Sequence, residues 1–317
     1  MFYTLVKGEK GRSLPWEEIL RESHVVFAVL VAAGAAFAQD PPTGIMRAGI
    51  IALLRASSKI SAGPPLGTLD TTMDQLIGGF QSTDYSKIPR IDSQPPTAIG
   101  SCFVVTLVPQ GPVNFDPTAI TTLDAGPVLN LTGPNGSKQI AANKLAFGGT
   151  LGGGLSIPFL PPPAPLYLDP GTYTIDNGAG GADIGSFTAT LNVPAPFVWN
   201  NADAALSIDR SAGIDIVWTG GDPASKVTMQ GTAIVINPTT HMLDSGGSFT
   251  CTEDNSAGHF VVTPEVMNIL PATTTVNGVS NGTLSVSDGV EVKFNAPGSD
   301  LSLFTYRAGT VRSPEYK

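Results

Sequence analysis

The feature that most constrains this fold is an alternation of apolar residues with a period of two. Phe187, Ala189, Leu191 and Val193 recur at every second position, as do Ile214, Ile216 and Trp218, and later Val290, Val292 and Phe294. Successive side chains of a β-strand point to opposite faces, so each run describes a strand with one apolar face. Runs of this kind recur with glycine, proline or Asn-Gly between them, which is the spacing of an all-β chain. The composition agrees, with 36 glycines, 27 prolines and only 14% charged residues. No alternation of strand and helix patterns is present, and this argues against a parallel α/β fold.

Along the chain, Gly44–Leu54 is apolar apart from Arg47 and reads as a strand, and a second is expected around Leu76–Gln81. Cys102–Val108 (CFVVTLV) has strong β propensity, and Val128–Thr132 runs into Gly133-Pro134-Asn135-Gly136, a hairpin signal. Residues 148–165, with three glycines and three prolines in succession, read as a surface loop. A single short helix is expected at Pro264–Leu270, with Thr263 as its N-cap and Pro264 in its first turn. Strands of five to seven residues predict two Ig-like antiparallel β-sandwiches in tandem. The first covers 39–193 and the second 197–317, joined by a linker at Pro194-Ala195-Pro196.

Residues 1–38 are set apart. Val25–Ala38 (VVFAVLVAAGAAFA) is a run of small and aliphatic residues ending in Ala36-Phe37-Ala38, the small-x-small pattern of a signal-peptidase site, and this places cleavage between Ala38 and Gln39. Crossing a bilayer takes about 20 apolar residues, more than this run supplies, so no stable span is expected after cleavage. The preceding segment mixes Lys7, Lys10, Arg12 and Arg21 with four glutamates. A start codon assigned too far upstream and a long n-region both account for it. The expected location is therefore secreted or extracytoplasmic, in the periplasm or at the cell surface.

A formal net charge of −9 repels nucleic acid and anionic lipid at long range. The two cysteines, Cys102 and Cys251, can be oxidised in an exported chain, and a disulfide between them and a pair of separate thiols both remain open.

Several phrases resemble a group of uncharacterised secreted proteins common in acidobacterial genomes. They are Thr122-Leu123-Asp124-Ala125-Gly126-Pro127, Gly171-Thr172-Tyr173-Thr174, Gly180 to Phe187, Ile216-Val217-Trp218-Thr219-Gly220-Gly221, and Phe249-Thr250-Cys251-Thr252 with Ala257-Gly258. The resemblance implies a secreted Ig-like β-sandwich and brings no activity and no site residues with it.

No residue constellation points to catalysis. Two histidines, His241 and His259, follow the signal, and Gly154-Leu155-Ser156-Ile157-Pro158 lacks the second glycine of a nucleophile elbow. No Cys-x-x-Cys or His-x-x-x-His zinc pattern is present, and no cofactor is expected. Asp176 to Asp183 resembles one copy of a calcium-binding nonapeptide, but that motif works by stacking several copies, so a β-turn is the expected role. Trp199, Trp218, Tyr167 and Tyr173 are the candidate aromatic platforms for a sugar, with Trp218 and Tyr173 expected in the core and Trp199 at an interface. Two functions follow as expectations. One is a non-enzymatic surface, adhesion or assembly module whose partner is a protein or glycan at the cell surface; the other is a glycan-binding or glycan-active protein, which requires a cleft lined by aromatics and facing carboxylates.

Overall fold

The computed structural model describes residues 44–63, 67–88, 97–107, 116–156, 161–237, 243–273, 275–276 and 279–317. The expected signal, its Ala38/Gln39 cleavage site and His241 lie outside the described residues. Within them the chain is all-β. The strands are β1 (Ile45–Gly63), β2 (Gly67–Asp84), β3 (Ser101–Leu107), β4 (Ile120–Leu123), β5 (Val128–Gly133), β6 (Gly136–Asn143), β7 (Ala146–Ser156), β8 (Gly171–Asp176), β9 (Thr188–Val193) and β10 (Ala195–Trp199). They continue with β11 (Ser207–Ile208), β12 (Ile214–Gly221), β13 (Lys226–Ile236), β14 (Leu243–Asp254), β15 (His259–Val262), β16 (Thr275–Val276), β17 (Val279–Ser280), β18 (Gly282–Phe294), β19 (Leu301–Arg312) and β20 (Glu315–Tyr316). One short helix, α1, spans Pro264–Met267.

A sheet of thirteen strands organises the molecule, in the order β3-β14-β13-β18-β19-β1-β2-β7-β6-β5-β8-β9, with β4 paired to β2. The expectation of short, purely antiparallel strands is corrected here. β1 and β2 run for 19 and 18 residues, and β1 pairs in parallel with β19 from Ala48↔Leu301 to Ser58↔Val311. Parallel neighbours need a long connection, and almost the whole chain lies between these two.

Two hydrophobic cores form on this framework. The first gathers Ile51, Leu76, Phe80, Tyr173, Phe187 and Phe304 with their neighbours, and the second Trp199, Trp218, Met229, Phe249, Cys251 and Leu284. In the first, the sheet bends until its end strand β9 packs back against β18 and β19. The Phe187 ring lies 5.0 Å from Phe294 and 5.6 Å from Phe80. In the second, β14, β13 and β18 face a separate three-stranded sheet, β10-β12-β15, which makes a two-layer sandwich.

β18 serves both cores with one face. Leu284 and Val286 are buried in the second core, while Val290, Val292 and Phe294, of the same parity, pack against the first. Asp288 sits at the changeover and is fully buried. At residues 194–196 the chain leaves β9 of the first core and enters β10 of the second, with Ala195 opening β10.

The glycine-rich stretch expected as a surface loop belongs largely to β7, which pairs with β2 from Gly79↔Ala146 to Asp70↔Ser156 around a bulge. The glycines make room for neighbouring backbone: a Cβ on Gly152 would collide with the Pro165 carbonyl oxygen of the following segment, and one on Gly153 with the Thr72 carbonyl oxygen of β2. Close backbone approach explains a run of glycines that composition alone assigns to flexibility. The hairpin at 133–136 forms as expected, with Gly136 at φ 90°. Helix α1 starts at Pro264 but ends at Met267, and the Thr263 side chain makes no capping bond.

Candidate functional site

Each region that could carry function follows from how its strands are terminated. The first is the outer edge of β3, which ends the large sheet. β3 pairs with β14 from Ser101↔Thr252 to Leu107↔Gly246 and has no described partner on its other side. Cys102 and Cys251 stand directly opposite one another and are joined by a disulfide, with 4.0 Å between their Cα atoms. That separation belongs to a non-hydrogen-bonded pair of an antiparallel ladder, whose two residues turn their backbone groups away from each other. The Gly100 N–H donating to the Thr252 carbonyl at 2.9 Å agrees, since it shows Thr252 facing β3 and its neighbour Cys251 facing β13.

The backbone N–H and C=O groups of Cys102, Val104 and Thr106 therefore point outward from the sheet. No residue from Ser101 to Leu107 carries a charge, and Val104 is 38% exposed. Edge strands are ordinarily blunted by lysine, proline or a bulge. β3 has none of these and is instead fastened to its neighbour covalently.

The second region is an open cleft of about 660 Å3 where the chain passes between the cores, lined by residues of the β9–β10 junction, the β12–β13 turn and β18. Asp288 organises its floor: its carboxylate accepts hydrogen bonds from the Ser225 hydroxyl and, at 3.3 Å, from the Asp222 N–H. Gly221, at φ 73°, makes this possible, because a Cβ there would lie 2.3 Å from the Asp288 Oδ2.

A third cluster is structural. Asp74, fully buried on β2, takes both the Nε and an Nη of Arg55, at 2.8 and 2.7 Å, and the N–H groups of Tyr167 and Leu168, at 2.7 and 2.8 Å. The hydrogen bond to Asp74 is the main cause that raises the Arg55 pKa, so the guanidinium stays charged. Four protein donors converge on the Asp74 carboxylate, one on Oδ1 and three on Oδ2, and it pins the segment before β8 onto the sheet.

The four aromatic candidates for a sugar platform are all buried. Trp199, expected at an interface, is 4% exposed in the second core and donates its indole N–H to Asn201 Oδ1 at 2.9 Å. Trp218, Tyr173 and Tyr167 are equally enclosed, and the 660 Å3 cleft has no aromatic lining. Among the expected turn residues, Asp176 Oδ1 is engaged by the Asn130 side chain and the Gly178 N–H, and Asp183 Oδ2 by the Asp124 N–H. Their carboxylates are tied to separate backbone and amide partners. No group of three or more His, Cys, Asp or Glu side chains suited to a metal ion occurs among the described residues. His259 is exposed, with Nδ1 3.4 Å from Asp215 Oδ1, and Ser156 ends β7.

Sequence reasoning placed Cys102 and Cys251 but left their pairing open, and it took Asp288-Gly289 for a separator between two strands where β18 runs on without a break. The signal was available in the parity of β18, where an aspartate occupies an apolar position. No protein family and no curated protein matches the sequence. Among solved structures, the yeast δ-COP-I μ-homology domain complexed with a Dsl1 WxWxV peptide aligns with 88% of this chain and all of its own length, at 9% identity and a TM-score of 0.13. That score carries no argument about fold.

Proposed function

We propose that this protein is a non-enzymatic extracytoplasmic module that acts in surface attachment or assembly by adding a partner's strand to the open edge of β3. The observation that carries the reading is a seven-residue, charge-free edge whose outward backbone groups have no described partner and whose strand is held in place by a disulfide. Such an edge is a template for main-chain pairing, and the disulfide keeps the template from peeling off when it is loaded. The disulfide fits an oxidising compartment, and no helix among the described residues is long and apolar enough to cross a membrane. We read the two-layer sandwich of the second core as Ig-like.

Two measurements test this. Intact mass of the exported protein should begin at Gln39 and lack two protons relative to the dithiol; a mass that retains residues 1–38 would remove the export assignment. Native-state hydrogen exchange should show fast amides at Cys102, Val104 and Thr106 in dilute protein, slowed when the protein is bound to cells or assembled. Protection of those three amides in dilute protein would mean that the edge is already covered, and the reading would fail.

A further inference from the structure

The cleft between the cores contains a second open strand edge, separate from β3. β18 pairs with β19 from Leu284 to Phe294, but with β13 only from Gly282 to Ser287. From Gly289 onward its other edge has no described partner strand. The pairing stops because the chain entering β13 is held aside: Asp288, buried at the last paired turn, accepts bonds from the Ser225 hydroxyl and the Asp222 N–H and so fixes the 222–225 turn across the end of the ladder. The opposite wall is the β9–β10 junction, where Asn192 and Ala195 are exposed. What remains is a slot with backbone on one side, side chains on the other and a closed end.

We propose that this slot binds an extended protein segment bearing a basic residue, which pairs with the free edge of β18 from Gly289 to Val292. Four residues of strand span about 13 Å, which sets the length of the paired stretch. Alternation along it places Glu291 on the opposite face from Val290 and Val292, whose side chains are committed to the first core. The charge specifies the ligand. Asp222 and Glu291 line the cleft and no lysine, arginine or histidine does; Glu291 forms a 3.6 Å ion pair with Arg307, which lies outside the lining, so the cleft keeps one carboxylate in excess. Asp222 is oriented by the Ala224 N–H on its Oδ1. An acidic rim beside an open edge favours a cationic strand and repels an anionic one, including a second copy of this chain with its net charge of −9.

The test uses the isotopically labelled exported protein and a capped peptide of alternating valine and lysine, followed by amide chemical shifts. Shifts confined to Gly289–Val292 and to Leu191–Ala195 are expected. Exchanging lysine for glutamate in the peptide should abolish them, and methylating the peptide's alternate backbone nitrogens should weaken binding strongly. Glu291→Gln, at an exposed position, should weaken the lysine peptide by about threefold, the size of a rim charge pair. The proposal is overturned if the shifts fall at Cys102–Thr106 and not at Gly289–Val292, if the glutamate peptide binds as well, or if N-methylation changes nothing.

Discussion

The two cores solve the same problem, fastening a peripheral segment to a sheet, by different chemistry. In the first, Asp74 draws Tyr167 and Leu168 onto β2 by accepting a hydrogen bond from each backbone N–H, while two further bonds from Arg55 form a buried ion pair. In the second, the Cys102–Cys251 disulfide clamps β3 to β14. The segment before β8 is covered on its inner side and can rely on hydrogen bonds shielded from water, where they are strongest. β3 lies at the end of the sheet with an open side, where hydrogen bonds compete with water, and a covalent bond does not. The difference shows a fastening matched to solvent exposure, and it orders the consequences of breaking each one.

The largest effect is expected at Asp74. Asp74→Ala removes the partner of a guanidinium whose side chain is only 14% exposed and leaves the Tyr167 and Leu168 N–H groups unpaired. Breaking a buried ion pair from one side costs about 4 kcal/mol. Chemical denaturation should show that loss, with exchange protection falling first in the segment before β8. A loss below about 1 kcal/mol would show that water replaces the carboxylate and that the first core is not fastened as described.

Cutting the disulfide should cost less. Cys102 and Cys251 are 149 residues apart; chain entropy alone gives about 5 kcal/mol for so long a loop, and bridges typically deliver about 3 kcal/mol. Cys102→Ser with Cys251→Ser should lower the denaturation midpoint and raise amide exchange in β3 ahead of β13 and β18, while the first core keeps its protection. Simultaneous loss of protection in both cores would mean that the shared strand β18 couples them, and the contrast between the two fastenings would dissolve.

These two fastenings also mark how far the sequence could be read. Period-two alternation located β9, β12 and the two ends of β18, because that signal lies within a few neighbouring residues. Strand lengths were underestimated because Ala, Gly and Ser in β1, β2 and β7 carry weak β propensity, yet long-range pairing keeps them in the sheet. The partners of β1 and β3 lie far along the chain, and no local pattern announces the β1–β19 or β3–β14 register. Cys102 and Cys251 were legible as residues and illegible as a pair. The open edge of β3 was legible as a strong strand, but nothing in CFVVTLV says that only one side of it is covered. Trp199 shows the same limit, since its place beside a proline-rich crossing suggested an interface and packing in the second core buries it.

The smallest effect concerns alkali, and it compares the cores through their tyrosines. Tyr306 of the first core is 1% exposed, and burial pushes its pKa up from 10.0 to about 12, with the nearby Arg55 charge opposing the shift and Asp74 and Asp288 adding to it. In the second core, Tyr316 is held higher still, by burial, while its hydroxyl donates to the Thr283 carbonyl at 2.9 Å. A phenol whose folded pKa exceeds its unfolded one keeps its proton in the fold after the unfolded chain has released it. The associated stability is complete below pH 10 and is lost as the pH rises, at about 1.4 kcal/mol per unit for each tyrosine, until the folded pKa is reached. For Tyr306 the window runs from pH 10.0 to about 12 and amounts to about 2.7 kcal/mol. Tyr306→Phe should flatten the alkaline slope within that window and leave stability at neutral pH nearly unchanged, since its hydroxyl makes no hydrogen bond to the described residues. Tyr316→Phe should flatten the same slope but also lower stability at neutral pH, through the lost bond to Thr283. Equal neutral-pH costs for the two variants would show that the Tyr306 hydroxyl is bonded as firmly as that of Tyr316, and that the cores differ less in their buried polar chemistry than their fastenings imply.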